Sequence, residues 1–364
     1  MSSTPTHILL HAFSTFGIGG PQVRFSQLVT ALGGKYRHIV AAMDGNYDCR
    51  SRIPDDLGVI YLGSVRPGRS TLANVLCFRG HLRHLRPDLL VTYNWGAIEW
   101  VMANALPVAR HIHVEDGFGP EERTVRLRRR SLARRFLLQS SILVVPSQRL
   151  RRIAVEEWCL RPQRIQYIPN GIVPERFGTL IDGPADACCG AGPIIGTVAA
   201  LRAEKNIERL LRAFRLVADS HPCRLVIVGD GPERSRLEAL SIELGLAHRI
   251  RFTGHLEAPE SALRGFDLFA LSSDTEQMPL SVLEAMAAGL AIVATNVGDV
   301  AEMVAPSNSP FVTAPNEIEL AEALKVLLLD ASKRTRIGQE NRARTRERFR
   351  QDTMVDAYAR LFDA

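Results

Sequence analysis

The sequence predicts an α/β protein built from two consecutive Rossmann-like domains, each on a parallel sheet. Three observations predict it. Short apolar, β-branched runs alternate with longer amphipathic stretches, the pattern of strand–helix–strand units. This pattern occurs as two series, separated by a segment rich in Gly, Pro and small residues. The chain of 364 residues, 46% hydrophobic and 23% charged, has the length of two domains and globular composition.

In the first series the predicted strands are 7–13, 38–43, 58–63, 88–94, 110–115 and 141–147, with a last one ending at Gly171. Helical patterns at 71–86 and 121–138 fill two of the gaps. The segment GTLIDGPADACCGAGP has no clear period and reads as a linker. The second series places strands at 193–201, 223–231, 249–255, 267–273, 291–298 and 310–315, each followed by a helical stretch. Helices follow from about 317 to 363, with a break near Arg350. The expected organisation is therefore a first domain over 1–177, a linker over 178–192 and a second domain over 193–349, with 350–364 packed back on the first. Ligands of open parallel sheets bind beyond the carboxyl ends of strands, so two such domains facing each other would share a cleft.

Composition excludes several classes. No apolar run reaches the ~18–20 residues of a membrane span. The opening MSSTPTHILLHAF lacks the basic and apolar regions of a signal peptide, which leads to the expectation of a cytoplasmic protein. Cys49, Cys77, Cys159, Cys188, Cys189 and Cys223 form no C-x-x-C pair and are expected to be reduced structural thiols. The formal charge of +6 is uneven: seven arginines lie between Arg123 and Arg135. That run favours an anionic partner, and its interleaved Leu127, Leu132, Phe136, Leu137 and Leu138 suit an anionic membrane surface, the alternative being a solvated basic face over a buried leucine stripe. A nucleic-acid partner is disfavoured, because only 6% of the residues are aromatic and no stacking platform is present.

The stretch SSDTEQMPLSVLEAMAAGLAIVAT over 272–295 carries the most chemical information. A strand ends near Ser273, a turn holds Asp274 to Met278, Pro279 sits where a helix begins, and Gly289 closes that helix. The amides of Leu280 and Ser281 at the helix start suit a diphosphate. Glu276 and Glu284 flank them, and a carboxylate is a strong acceptor for the vicinal hydroxyls of a ribose or hexose. Glu284 lies among Val282, Leu283, Ala285, Met286 and Ala287, where a charge needs a partner or a ligand. In the first series, Gly19 and Gly20 follow the first strand and allow close approach of backbone to phosphate or sugar.

The pattern Glu276-x7-Glu284 with Ala285, Ala287, Gly289 and the strand AIVAT resembles the signature of family 4 retaining glycosyltransferases, which have the GT-B fold. Further segments resemble the family in order: GIGGPQVRFSQLVTAL, VVPSQRL, IPNGIV, TVAALRAEKNIERLLRAF, VIVGDGPER and FTGHL. The resemblance implies that Arg202 and Lys205 grip the donor diphosphate, that Glu284 binds the ribose and that Glu276 meets the donor sugar's hydroxyls. It places Gly19, Gly20, Gly231, Leu256, Met278, Leu280 and Ser281 in the donor pocket and His113, ahead of His111, near the anomeric centre. Glu115 and Asp116 follow His113 and could contact the acceptor. It also implies a front-face transfer that retains the anomeric configuration and needs neither metal nor cofactor, the two cations standing in for a metal. The expected activity is transfer of a hexosyl unit from a UDP- or GDP-sugar to a saccharide or lipid-linked acceptor; the alternative is a GT-B-fold nucleotide-sugar epimerase. The chain departs from the family pattern at Gln277, Met278, Ala200 and Ala291, all on the donor side.

Overall fold

The computed structural model describes residues 7–63, 65, 68, 70–118, 127–177 and 192–364. The chain forms two compact units, Met1–Asn170 with Asp352–Ala364, and Gly171–Gln351.

The first unit holds β1 (Ile8–Phe13), α1 (Gly20–Leu32), β2 (Arg37–Ala42), β3 (Ile60–Tyr61), α2 (Thr71–Leu85), β4 (Leu89–Tyr93), α3 (Ile98–Ala103), β5 (Arg110–Val114), α4 (Arg128–Leu137), β6 (Ile142–Val145), α5 (Gln148–Glu156) and β7 (Ile165–Tyr167). Its strands form one parallel sheet in the order β3-β2-β1-β4-β5-β6-β7. The second unit holds β8 (Ile194–Val198), α6 (Ile207–Ala218), β9 (Arg224–Val228), α7 (Arg234–Glu243), β10 (Ile250–Gly254), α8 (Glu260–Arg264), β11 (Leu268–Leu271), α9 (Leu280–Ala287), β12 (Ala291–Thr295), α10 (Val300–Met303), β13 (Val312–Thr313), α11 (Glu317–Leu329) and α12 (Ala331–Arg348). Its sheet is also parallel, in the order β10-β9-β8-β11-β12-β13. The last helix, α13 (Gln351–Asp363), gives Met354, Val355, Tyr358 and Phe362 to the core of the first unit, against Leu9, Phe25 and Ile112.

The central strands are mostly apolar because helices cover both sheet faces. Every residue of β4, β11 and β12 is buried. The covering helices show the complementary period: in α6, Ile207, Leu210, Leu211, Phe214 and Val217 enter the core together. Asn206 starts α6 by accepting from the Arg209 amide, and Asn316 and Asp330 start α11 and α12 the same way.

Three predicted boundaries differ from the structure. The segments 58–63 and 310–315 yield only the two-residue strands β3 and β13. Residues 171–177, expected in the first domain, group with the second unit. The Ile172 amide donates to Phe349 O at 3.0 Å, Ile172 O accepts from the Gln351 amide at 2.8 Å, and Phe177 enters the apolar cluster around Phe269. Most of the predicted linker and the start of the arginine run (Arg123 and Arg126) lie outside the described residues, as do Cys188 and Cys189. The other four cysteines are free.

Strand order reverses between β1 and β4 in the first sheet and between β8 and β11 in the second. Such a reversal opens a crevice at the carboxyl ends of the two central strands, because the loops following them turn to opposite sides of the sheet.

Candidate active site

In the second unit the crevice lies between the loop after β8 and the loop after β11. The β8 loop is pinned by backbone: the Leu201 amide donates to Asp230 O at 2.9 Å, and Leu201 O accepts from the Glu233 amide at 3.0 Å. A Cβ on Gly229 would sit 1.9 Å from Ala199 O, and one on Gly231 would sit 2.5 Å from Leu201 O. Only glycine fits this close approach. Gly231, predicted in the donor pocket, is thus placed against Leu201. Beyond Leu201 the chain turns through Arg202 and Lys205 and enters a left-handed conformation at Asn206 (φ 42°), which starts α6.

The β11 loop is joined to this turn side chain by side chain. Ser272 Oγ donates to Lys205 O at 3.1 Å, and the Asp274 amide donates to Glu204 O at 2.9 Å. Asp274 Oδ1 accepts from Arg209 at 2.7 Å and from Asn206 Nδ2 at 3.0 Å, while Arg209 also donates to Ser272 O at 2.7 Å. Lys205 Nζ lies 2.5 Å from Glu276 Oε1, and Ser273 Oγ donates to the same oxygen at 2.8 Å. The Glu276 turn rests on Gly298 (φ +56°), where a Cβ would meet Gln277 O at 2.4 Å and Glu276 O at 2.6 Å. Arg202, three residues before Lys205, is exposed, with no side-chain hydrogen bond or ion pair among the described residues.

Pro279 caps α9 rather than occupying its first turn; its carbonyl accepts from the Val282 amide at 3.2 Å. The Leu280 and Ser281 amides stand ahead of that bond, at the end where unpaired donors gather. Val282, Leu283, Ala285, Met286 and Ala287 are buried, whereas Leu280, Ser281 and Glu284 are only partly so and share the other helix face. Met278 is buried in the apolar cluster around Phe269, and Leu256 packs against that cluster. The site residues brought together within this unit are therefore Lys205 and Glu276, with Arg202 one turn of chain before Lys205 on the same loop and Leu280, Ser281 and Glu284 on one face of α9.

The first unit has its own polar cluster. Gly19 caps α1 and Gly20 opens it, with nothing within 4 Å of a Cβ built on Gly20. Arg24, on the same helix, is buried and forks onto Asp116 at 2.5 and 2.7 Å and onto Asn170 Oδ1 at 3.0 Å. His113 is wholly buried on β5, Nδ1 at 2.7 Å from Thr92 Oγ1 and Nε2 at 3.4 Å from Glu115 Oε2. Thr92 Oγ1 also meets His111 Nε2 at 2.9 Å, and His111 Nδ1 meets Ser141 Oγ at 2.6 Å. Burial and the neighbouring His113 lower His111 to about 3, so it is neutral. The donor order that satisfies every member runs Ser141 hydroxyl to His111, His111 to Thr92, Thr92 hydroxyl to His113, and His113 to Glu115. Burial alone would raise the Glu115 carboxyl, but the Arg134 guanidinium and His113 more than offset it and hold it below the ordinary carboxylate range.

Arg134 corrects the sequence reading of the arginine run. It is fully buried, paired to Glu115 at 2.9 Å and boxed by Trp95, Phe118 and Trp158, with ring centroids 4.9–5.5 Å away. Arg128, Arg129, Leu132, Arg135 and Phe136 are the exposed residues of α4.

Sequence reasoning missed Asn206, Arg209, Asp274 and Gly298 in the second unit and Arg24 and Arg134 in the first. Arg209 lies one helical turn after Lys205, and Asp274 two residues before Glu276; proximity to those two was the sole signal in the sequence.

Residues 18–176 match the model of Glycosyltransferase Family 4, and residues 190–344 match that of Glycosyl transferases group 1. The chain belongs to the family 4 glycosyltransferases. Among curated relatives it is similar to the lipopolysaccharide core biosynthesis glycosyltransferase LpsD of Rhizobium meliloti, 34% identical over 160 residues (44% of this chain, 46% of that one). It is also similar to the 2-deoxystreptamine glucosyltransferase of Streptomyces kanamyceticus, 31% identical over 175 residues (46% and 43%). Both alignments take in less than half of the relative's length. Among solved structures, Anabaena Alr3699/HepE in complex with UDP and glucose superposes with a TM-score of 0.83 at 18% identity, covering 98% of this chain and 99% of that one. A glycosyltransferase from Rickettsia africae gives 0.78 at 16%, covering 98% and 97%. At these identities the likeness is one of fold, GT-B, while function has to be argued from the site.

Proposed function

We propose that this family 4 glycosyltransferase moves a hexosyl unit from a UDP- or GDP-sugar to a saccharide or lipid-linked acceptor with retention of anomeric configuration. The observation that carries the reading is the pair Lys205–Glu276 at the strand-order reversal of the second sheet, an ammonium beside a carboxylate at the place where this fold binds nucleotides. In this reading Arg202, Lys205 and the Leu280 and Ser281 amides hold the diphosphate, and Glu276 and Glu284 accept from hexose and ribose hydroxyls. The bond from the anomeric carbon to the diphosphate oxygen breaks as the bond to the acceptor oxygen forms on the same face. The acceptor's proton passes to the leaving diphosphate, and the growing charge is met by the two cations without a metal. For His113, the buried ring with both nitrogens engaged supports a positioning role through Glu115.

The names of the relatives support the class of reaction: one acts in lipopolysaccharide core biosynthesis and one is a glucosyltransferase. A lipid-linked acceptor would be met at a membrane surface. No helix among the described residues is long and apolar enough to cross a membrane. The exposed Arg128, Arg129 and Arg135 around Leu132 and Phe136 would suit peripheral contact with anionic lipid.

The test is incubation with UDP- and GDP-sugars, with and without saccharide acceptors, in the presence of a chelator. Acceptor-dependent release of nucleoside diphosphate, with a product whose anomeric proton coupling matches that of the donor, is expected. An isomerised donor, or no turnover with any pair, overturns the proposal.

A further inference from the structure

The carboxylate read as the hexose ligand is bound to the cation read as the diphosphate ligand. Lys205 Nζ and Ser273 Oγ both meet Glu276 Oε1, at 2.5 and 2.8 Å. Glu276 Oε2 takes no hydrogen bond among the described residues, and Lys205 Nζ has no other partner there. The Glu276 side chain is only 10% exposed and that of Lys205 25%, so the pair is screened less than a surface ion pair. Asp274 does not compete for Lys205, being committed to Arg209 and Asn206.

We propose that Glu276 is an internal counter-ion of Lys205, displaced when a nucleotide-sugar binds and active in expelling the spent nucleoside diphosphate. The inference rests on the donor site described under the proposed function. An arriving diphosphate takes the ammonium, and the carboxylate it leaves is a poorly solvated charge that needs new donors. A hexose supplies them through its hydroxyls; a bare nucleoside diphosphate does not. The same side chain thus favours the sugar-bearing nucleotide and opposes the product. Once the hexose has moved to the acceptor, Glu276 regains Lys205 in competition with the phosphate.

The experiment is titration calorimetry with UDP, GDP, UDP-glucose and GDP-mannose on the unaltered protein, on Glu276→Gln, on Lys205→Met and on the double variant. Glu276→Gln keeps the shape of the side chain and removes its charge. It is expected to bind the nucleoside diphosphate roughly fivefold tighter than the unaltered protein, the scale of one partly screened charge interaction. It should bind the matching sugar nucleotide no better. In the Lys205→Met background the Gln change should bring no gain, because the two effects share one contact. Equal or weaker binding of the nucleoside diphosphate by Glu276→Gln, beside measurable binding by the unaltered protein, overturns the proposal and leaves the donor site standing. A gain that persists without Lys205 overturns it too, since the carboxylate would then act on the phosphate directly. If the unaltered protein binds none of the four ligands, the donor site itself falls and the counter-ion role with it.

Discussion

Arg134 Nε lies 2.9 Å from Glu115 Oε2 with neither side chain reaching solvent. A buried pair of this kind is costly to break, because the remaining charge keeps its desolvation penalty. Arg134→Met is expected to destabilise the first unit by about 3–5 kcal/mol. Lysine should rescue it poorly, since an ammonium lacks the flat face that Trp95 and Trp158 enclose. Urea denaturation of the two variants checks this; a loss below about 1 kcal/mol, the size of a surface pair, would falsify it.

Lys205→Ala should lower turnover at least about tenfold, on the scale of losing a group that stabilises charge in the transition state. Arg202→Ala should act in the same direction, since the exposed guanidinium has no structural bond to lose among the described residues. The readout is acceptor-dependent release of nucleoside diphosphate. Full activity in Lys205→Ala counts against the donor site.

Gly298→Ala tests the support beneath Glu276. At φ +56° a Cβ would press on Gln277 O and Glu276 O, so the turn must shift. The expected result is a weaker donor-induced rise in melting temperature than in the unaltered protein. An equal rise in the two proteins would show that the turn's position does not matter to binding.

Acid should destabilise the first unit through its histidines. Burial lowers His38 to about 4, and burial with the nearby His113 lowers His111 to about 3. His11, 3.0 Å from His38, is lowered too, by burial and by that neighbour. In the unfolded chain a histidine protonates near pH 6.5, so between that value and the folded one the unfolded state binds more protons. The stability these groups confer is therefore complete above about pH 6.5 and declines as pH falls towards the folded values. At pH 5, His38 and His111 together should cost roughly 4 kcal/mol relative to pH 7. Denaturant midpoints at the two pH values measure it, and His38→Gln should remove part of the difference.

The basic helix α4 can be tested for lipid contact at its exposed positions. Glu at Arg128, Arg129 and Arg135 should release the protein from phosphatidylglycerol vesicles at low salt, each arginine contributing about 1 kcal/mol. Arg130 is left unchanged because its guanidinium lies 5.2 Å from the Trp95 ring centroid. Vesicle binding that survives the triple change removes the membrane from the reading.

The strands and their order of appearance were legible in the sequence, because a strand covered on both faces is mostly apolar. The Glu276–Glu284 helix was legible for a related reason: its punctuation by Pro279 and Gly289 is local. The Arg209–Asp274 bond was not, since it joins residues 65 apart in the chain and depends on β8 and β11 lying side by side. Arg134 was hidden by its neighbours. Within a run of arginines every member reads as a solvated charge, and only the meeting of α4 with Trp95, Phe118 and Trp158 singles one out. The place of His113 near a strand end was legible, but its hydrogen-bond chain to Ser141 passes back and forth between β4 and β5 and has no sequence period.

The apolar interior beneath α13 joins Tyr358 and Phe362 to residues near the start of the chain. During synthesis, the first half therefore leaves the ribosome with a gap in its interior, and the whole of Gly171–Gln351 must follow before its filler does. Until α13 emerges, Phe25 and Ile112 lack the apolar neighbours it supplies, and such uncovered surface favours aggregation. Truncation before α13 should yield aggregated protein, although the residues proposed to hold the donor, Arg202 to Glu284, would all be present.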